Sequence, residues 1–101
     1  MQTTVTARHC DIPEDLRARA IEVMDRLAKL ANRPTSADVV FDAEHQRRVV
    51  ELQLRFPPQH VRVATGEAAD FRTALDRAEE KLRSQLDKDA VRPENRRVSG
   101  S

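Results

Sequence analysis

The chain contains no tryptophan and no tyrosine, and only three phenylalanines. A core therefore has to be assembled from Val, Leu, Ile and Ala. No outward set of aromatics is available for stacking on splayed single-stranded bases. Cys10 is the only cysteine, which excludes an intramolecular disulfide and a cysteine-rich zinc site. With two glycines there is no glycine-rich phosphate loop, and no HExxH or Ser/His/Asp pattern appears. No apolar run approaches the roughly 20 residues of a membrane span, and no basic segment followed by an apolar core marks a secretory leader. The expectation is a cytoplasmic protein without membrane contact. His9, His45 and His60 fall at a strand exit, a turn and a strand start, without metal-ligand spacing, and read as solvated surface residues. Cys10 follows His9, but adjacent side chains point different ways, so Cys10 reads as a partly buried hydrophobe. No catalytic residue, metal or cofactor is expected, and the chain does not read as an enzyme.

What is present fits one small folded domain. The chain has 101 residues, of which 39% are hydrophobic and 35% charged, a size that supports a single core. Its net charge is only +1. Binding to a polyanion would have to come from segregated charge, because bulk charge does not supply it.

Taken in order, the β-branched stretch at residues 3–7 predicts a strand, with Arg8 and His9 at its exit. Pro13 with Asp11, Glu14 and Asp15 marks a helix start. Leu16, Ala20, Val23, Met24, Leu27, Leu30 and Ala31 recur as the buried stripe of that helix. A breaker cluster at residues 32–36 follows. Residues 39–41 predict a short strand and residues 42–46 a polar turn. Arg47–Phe56 alternates, with Val50, Leu52, Leu54 and Phe56 on the buried face. A proline turn at residues 57–59 leads to a strand at 60–65, for which Val61 and Val63 are expected inward. Asp70 is a good N-cap for a second helix, in which Phe71, Ala74, Leu75, Ala78, Leu82 and Leu86 line one stripe. Periodicity ends after Lys88. The expected fold class is α+β, in the order β-α-β-β-β-α, a four-stranded sheet with two helices packed on one face. It spans residues 1–88, and residues 89–101 are expected to be a frayed or disordered tail.

Charge on both helices is segregated. On the second helix Arg77, Lys81 and Lys88 share one flank of the apolar stripe, at about 100° per residue. Asp76, Glu79, Glu80 and Asp87 lie on the other flank and the back, with Arg72 and Arg83. On the first helix Arg19, Arg26, Lys29 and Arg33 share a flank interrupted by Glu22. Arg8, Arg55 and Arg62 add cations on or near the exposed side of the sheet. Such flanks either solvate the helices, with intrahelical pairs such as Glu22 with Arg26, or contact the phosphates of structured RNA. The candidate RNA-binding residues are Arg8, Arg26, Lys29, Arg62, Arg77, Lys81 and Lys88. In the second case affinity would depend steeply on salt, and backbone and shape contacts would dominate.

With these elements placed, the sequence resembles the ribosome hibernation-promoting factor family, which includes ribosome-associated inhibitor A and sigma-54 modulation proteins. The resemblance runs over residues 1–88. The opening MQTTVTARH resembles the family's first strand and its exit, with Ala7 in place of a glycine. Ile12, Pro13, Leu16 and Arg17 resemble the entry to its first helix. Val39-Val40-Phe41, and Val50, Leu52 and Leu54, fall where its strands do. Most specific is the set Asp70, Ala74, Leu75, Asp76, Ala78, Lys81, Leu82, Gln85, Leu86 and Lys88, which resembles its second-helix signature. Ser84 stands where an arginine is common, Arg72 where a tyrosine is common, and Asp87 and Asp89 dilute a usually lysine-rich end. The resemblance implies a factor that binds the decoding region of the small ribosomal subunit, contacts 16S ribosomal RNA, and blocks the messenger and transfer RNA sites under stress. It also implies that Arg8, Lys81, Lys88 and Lys29 are contacts. The expected form is a monomer with no small-molecule substrate. The alternative reading is a non-catalytic protein-interaction module of the same fold that regulates a cytosolic partner.

Overall fold

The computed structural model describes residues 1–100, with side chains described through Asp89. The elements are β1 (Gln2–Arg8), α1 (Glu14–Leu30), β2 (Ser36–Glu44), β3 (Arg47–Phe56), β4 (His60–Ala68) and α2 (Phe71–Gly100). The expected order and fold class hold. The tail expected over residues 89–101 lies, beyond Asp89, outside the described side chains.

The sheet order is β1-β2-β3-β4. β1 and β2 run parallel, joined by α1 as a crossover, and β2-β3-β4 is an antiparallel meander. β2 is longer than its hydrophobic centre suggests. It pairs with β1 as far as Asp42 and with β3 as far as Glu44, so Asp42, Ala43 and Glu44 belong to the strand and only His45-Gln46 turns the chain. The polar residues there disguise the strand: Asp38, Asp42 and Glu44 occupy the solvent-facing phase, while Ala37, Val39 and Phe41 fill the buried phase.

Both helices cover one face, and the core lies between. α1 contributes Leu16, Ala20, Val23, Met24 and Leu27; α2 contributes Ala74, Leu75, Ala78, Leu82 and Leu86. From the sheet come Ala37, Val39, Phe41, Val50, Leu52, Leu54 and Ala64. Phe41 meets Phe71 edge-on with centroids 5.3 Å apart, a favourable quadrupole arrangement. Truncating a fully buried leucine such as Leu82 to alanine would cost about 2–5 kcal/mol. Cys10 packs against this core, half-buried, as a small hydrophobe would.

β4 is in the opposite phase to the one expected. Ala64 is buried, whereas Val61 and Val63 are each 40% exposed on the open face. Register agrees: Leu54, Leu52 and Val50 pair with Arg62, Ala64 and Gly66, so these three share the helix-covered face. The more hydrophobic residues point outward because α2 approaches this strand too closely for them to fit. A Cβ on Gly66 would lie 2.2 Å from the Ala74 carbonyl oxygen and 2.5 Å from the Ala78 nitrogen. Glycine at position 66 is what lets the helix backbone rest on the strand.

Candidate nucleic-acid interface

The close approach at Gly66 places one flank of α2 along the outer side of β4, an edge strand of the four-stranded sheet. Three α2 side chains spaced four residues apart reach that edge. Arg77 donates to the Glu67 carbonyl at 2.7 Å, Lys81 to the Thr65 carbonyl at 2.9 Å, and Gln85 to the Val63 carbonyl at 2.9 Å. Alternate residues of a strand point their backbone groups the same way, so these are the successive outward carbonyls of the edge. One turn further on, Lys88 is exposed and has no partner among the described residues. Arg77, Lys81 and Lys88 thus form a row in which, among the described residues, no cation meets a carboxylate. A carbonyl acceptor fixes the side chain without neutralising it. Lys81 keeps two further donors and Arg77 four.

Helix α2 is set in phase by its cap. Asp70 accepts from the Thr73 backbone N–H at 2.8 Å and from the Thr73 hydroxyl at 3.0 Å. These bonds hold the Asp70 carboxyl below its ordinary pKa, the backbone bond contributing most.

The α1 flank is arranged differently. Arg19 pairs with Asp76 at 3.0 Å and Arg26 with Glu79 at 3.2 Å, while Arg72 of α2 reaches back to Asp15 at 3.6 Å. Glu79 also accepts from Arg83. The intrahelical Glu22–Arg26 pair suggested by spacing gives way to these interhelical bonds. The hydrogen bond that Arg19 donates to Asp76, followed by the charge of that carboxylate, raises the Arg19 pKa above the ordinary guanidinium value. This flank is an ionic seam between the helices.

The remaining candidates are dispersed. Arg62, expected near the open face, lies on the helix side and holds Asp89 through two bonds of 2.6 and 2.8 Å. That partner raises its pKa. Arg8 is exposed at the end of β1, the edge strand opposite β4. Lys29 is exposed in the last turn of α1; neither has a partner among the described residues. Arg55 pairs with Asp38 at 3.1 Å and Arg47 with Glu67, so cations on the open sheet face are matched by acids. His9 is 78% exposed and bonded to Asp42 at 3.1 Å. Among the described residues no cluster of His, Cys, Asp or Glu could hold a metal ion, and no helix is long and apolar enough to cross a membrane. Sequence reasoning missed Gln85 and Gly66 as parts of this site. The available signal was position: Gln85 continues the four-residue spacing of Arg77 and Lys81, and Gly66 is the one glycine inside a strand.

The fold and the cationic row define a small α+β domain with one charged helix flank laid along a sheet edge. The chain belongs to the family described as Sigma 54 modulation protein / S30EA ribosomal protein, whose sequence model matches residues 3–92. It is 30% identical over 88 residues to a ribosome hibernation promoting factor of Pseudomonas putida, covering 87% of this chain and 85% of that protein. Two solved structures share the fold. The N-terminal domain of Thermus thermophilus Protein Y superposes with a TM-score of 0.71 at 24% identity, covering 82% of this chain and 91% of that one. A ribosomal subunit interface protein from Coxiella burnetii gives 0.72 at 20% identity, covering 90% of this chain and 99% of that one.

Proposed function

We propose that this protein is a ribosome hibernation factor of the cytoplasm. It binds the decoding region of the small ribosomal subunit, contacts 16S ribosomal RNA, and occludes the messenger and transfer RNA sites without catalysis. The observation that carries this reading is the row Arg77, Lys81 and Lys88, whose charges are uncompensated by any carboxylate among the described residues. Two of the three are held in place by strand carbonyls, so less side-chain freedom is lost when they meet phosphates. Family membership and the name of the Pseudomonas putida relative support a ribosomal partner. Within the candidate set, the row contributes most to binding, Arg8 and Lys29 contribute as peripheral contacts, and Arg26 and Arg62 contribute least because carboxylates already hold them. The protein acts as a monomer.

The test is sedimentation with small subunits across a salt series. The expected result is salt-sensitive co-migration that Lys81→Glu with Lys88→Glu weakens and Arg26→Glu weakens far less. No co-migration even at low salt would overturn the proposal. It would favour a protein partner on the open sheet face, where Val61 and Val63 stand exposed among paired charges.

A further inference from the structure

The residues of the α2 row do something at the sheet edge that is independent of any RNA. An open edge strand offers unpaired N–H and C=O groups to any other strand, including its own copy. β4 is suited to such pairing. Residues Val61, Val63 and Thr65 are uncharged, β-branched and on one face, and both valines are 40% exposed. Arg77, Gln85 and Lys81 occupy the Glu67, Val63 and Thr65 carbonyls, the acceptors a new strand would need. Among the described residues the opposite edge has a single such bond, from Arg17 to the Val5 carbonyl at 3.2 Å.

We infer that Arg77, Lys81 and Gln85 guard β4 against antiparallel pairing with the β4 strand of a second copy of this chain. The pairing they block is centred on Val63, which would face its own copy, with Val61 facing Thr65 on either side. That register is self-complementary, places only β-branched residues across the open-face seam, and keeps the two Glu67 carboxylates apart. The guard is steric as well as polar, because three long side chains cross the space the second strand would fill. The small Ala64 and Gly66 let α2 sit close enough for a lysine or glutamine to span to the edge.

The variant Arg77→Ala/Lys81→Ala/Gln85→Ala opens the edge without touching the core. Its mass would be measured by sedimentation equilibrium over a concentration series, with amide exchange at Val63, Thr65 and Glu67. The expected result is a concentration-dependent dimer, slowed exchange at those three amides, and return to the parent's mass when Val63→Lys is added, since a charge at the centre of the seam is incompatible with the pairing. Lys29→Ala with Arg33→Ala lowers the net charge equally and should leave the mass at the parent's value. A triple variant that keeps the parent's mass throughout would overturn the inference. So would association that Val63→Lys does not reverse, or equal association in the Lys29/Arg33 control. Lys81→Ala alone, which removes the middle guard, is read in the same two ways and decides the matter if the triple variant fails to fold.

Discussion

The two flanks of α2 carry similar side chains and arrive at opposite electrostatic outcomes. On the α1 side the polar contacts between the helices are, among the described residues, ion pairs: Arg19 with Asp76, Arg26 with Glu79, Arg72 with Asp15. On the β4 side the α2 donors Arg77, Lys81 and Gln85 meet backbone carbonyls, and the carboxylate of Asp89, also on that side, is held by Arg62 of the strand. Both arrangements hold helix against neighbour. Only the second leaves full positive charge at the surface, because a carbonyl accepts a hydrogen bond without cancelling the charge. A net charge of +1 is therefore compatible with a locally cationic edge. Counting basic residues on a helical wheel does not distinguish the flanks, since what matters is which acceptor each cation meets.

The β4 flank depends on the close approach at Gly66, so the largest effect should follow from closing that space. Gly66→Ala puts a methyl group against helix backbone that has no flexible end to move aside. Urea unfolding should show a loss of about 1–3 kcal/mol, and co-sedimentation with small subunits should fall as Arg77 and Lys81 are displaced from the edge. An alanine variant as stable as the parent would mean that α2 does not rest on β4 in this way.

This same approach explains what the sequence conceals. Element order, the second helical stripe, the first as far as Leu27, and the phase of β3 were legible because apolar periodicity reports burial directly; Leu30, expected in the first stripe, is 45% exposed at the end of α1. In β4 that rule inverts. Arg62, Ala64 and Gly66 face the helices while Val61 and Val63 face solvent, because proximity of α2 selects for small residues at the central covered positions. Arg62 can lie on the covered side only because Asp89 meets it there, and that partner is 27 residues away. The α1 seam was hidden for a related reason. Arg26 has Glu22 one turn back in sequence, yet its partner is Glu79 on the other helix. Lys81 and Lys88 were legible as cations, but the strand carbonyl that holds Lys81 is a product of the tertiary fold.

Exchanging the two flanks by mutation should separate stability from binding. Arg19→Ala with Arg26→Ala should lower stability by about 0.2–1 kcal/mol per pair, in keeping with exposed ion pairs, and leave co-sedimentation nearly intact. Lys81→Ala with Lys88→Ala should do the reverse. Thermal stability should hold while affinity falls, and the log–log salt dependence should flatten by about one for each phosphate that no longer meets a cation. Equal losses of binding in both variants would erase the functional difference between the flanks. A smaller effect belongs to Arg62 and Asp89, at 28% and 32% side-chain exposure. A double-mutant cycle with Arg62→Ala and Asp89→Asn should return a coupling of about 1 kcal/mol, since the bond is bidentate but partly solvated. A coupling of zero would show that this pair does not fix α2 to β4.

The smallest effect concerns the cap that sets the phase of both flanks. Asp70 is exposed, and its carboxylate accepts from the Thr73 N–H and hydroxyl, which depresses its pKa below the ordinary 3.8. A depressed folded-state pKa means that the charged form is favoured by folding. The contribution is therefore complete above the unfolded value and is lost as pH falls through the folded one. Asparagine offers the same N-cap geometry without titrating, and alanine offers neither. At neutral pH Asp70→Ala should lower the melting temperature by a few degrees and Asp70→Asn by less. The difference between the parent and Asp70→Asn should then shrink as the solution is acidified below the ordinary carboxylate range. A difference that grows on acidification would contradict the assignment of Asp70 as an ionised cap. Because rotation of α2 by even a fraction of a turn would move Lys81 off the Thr65 carbonyl and Arg19 off Asp76 together, Asp70→Ala should also weaken both flanks in parallel, visible as a common small loss in the two double variants when made on that background.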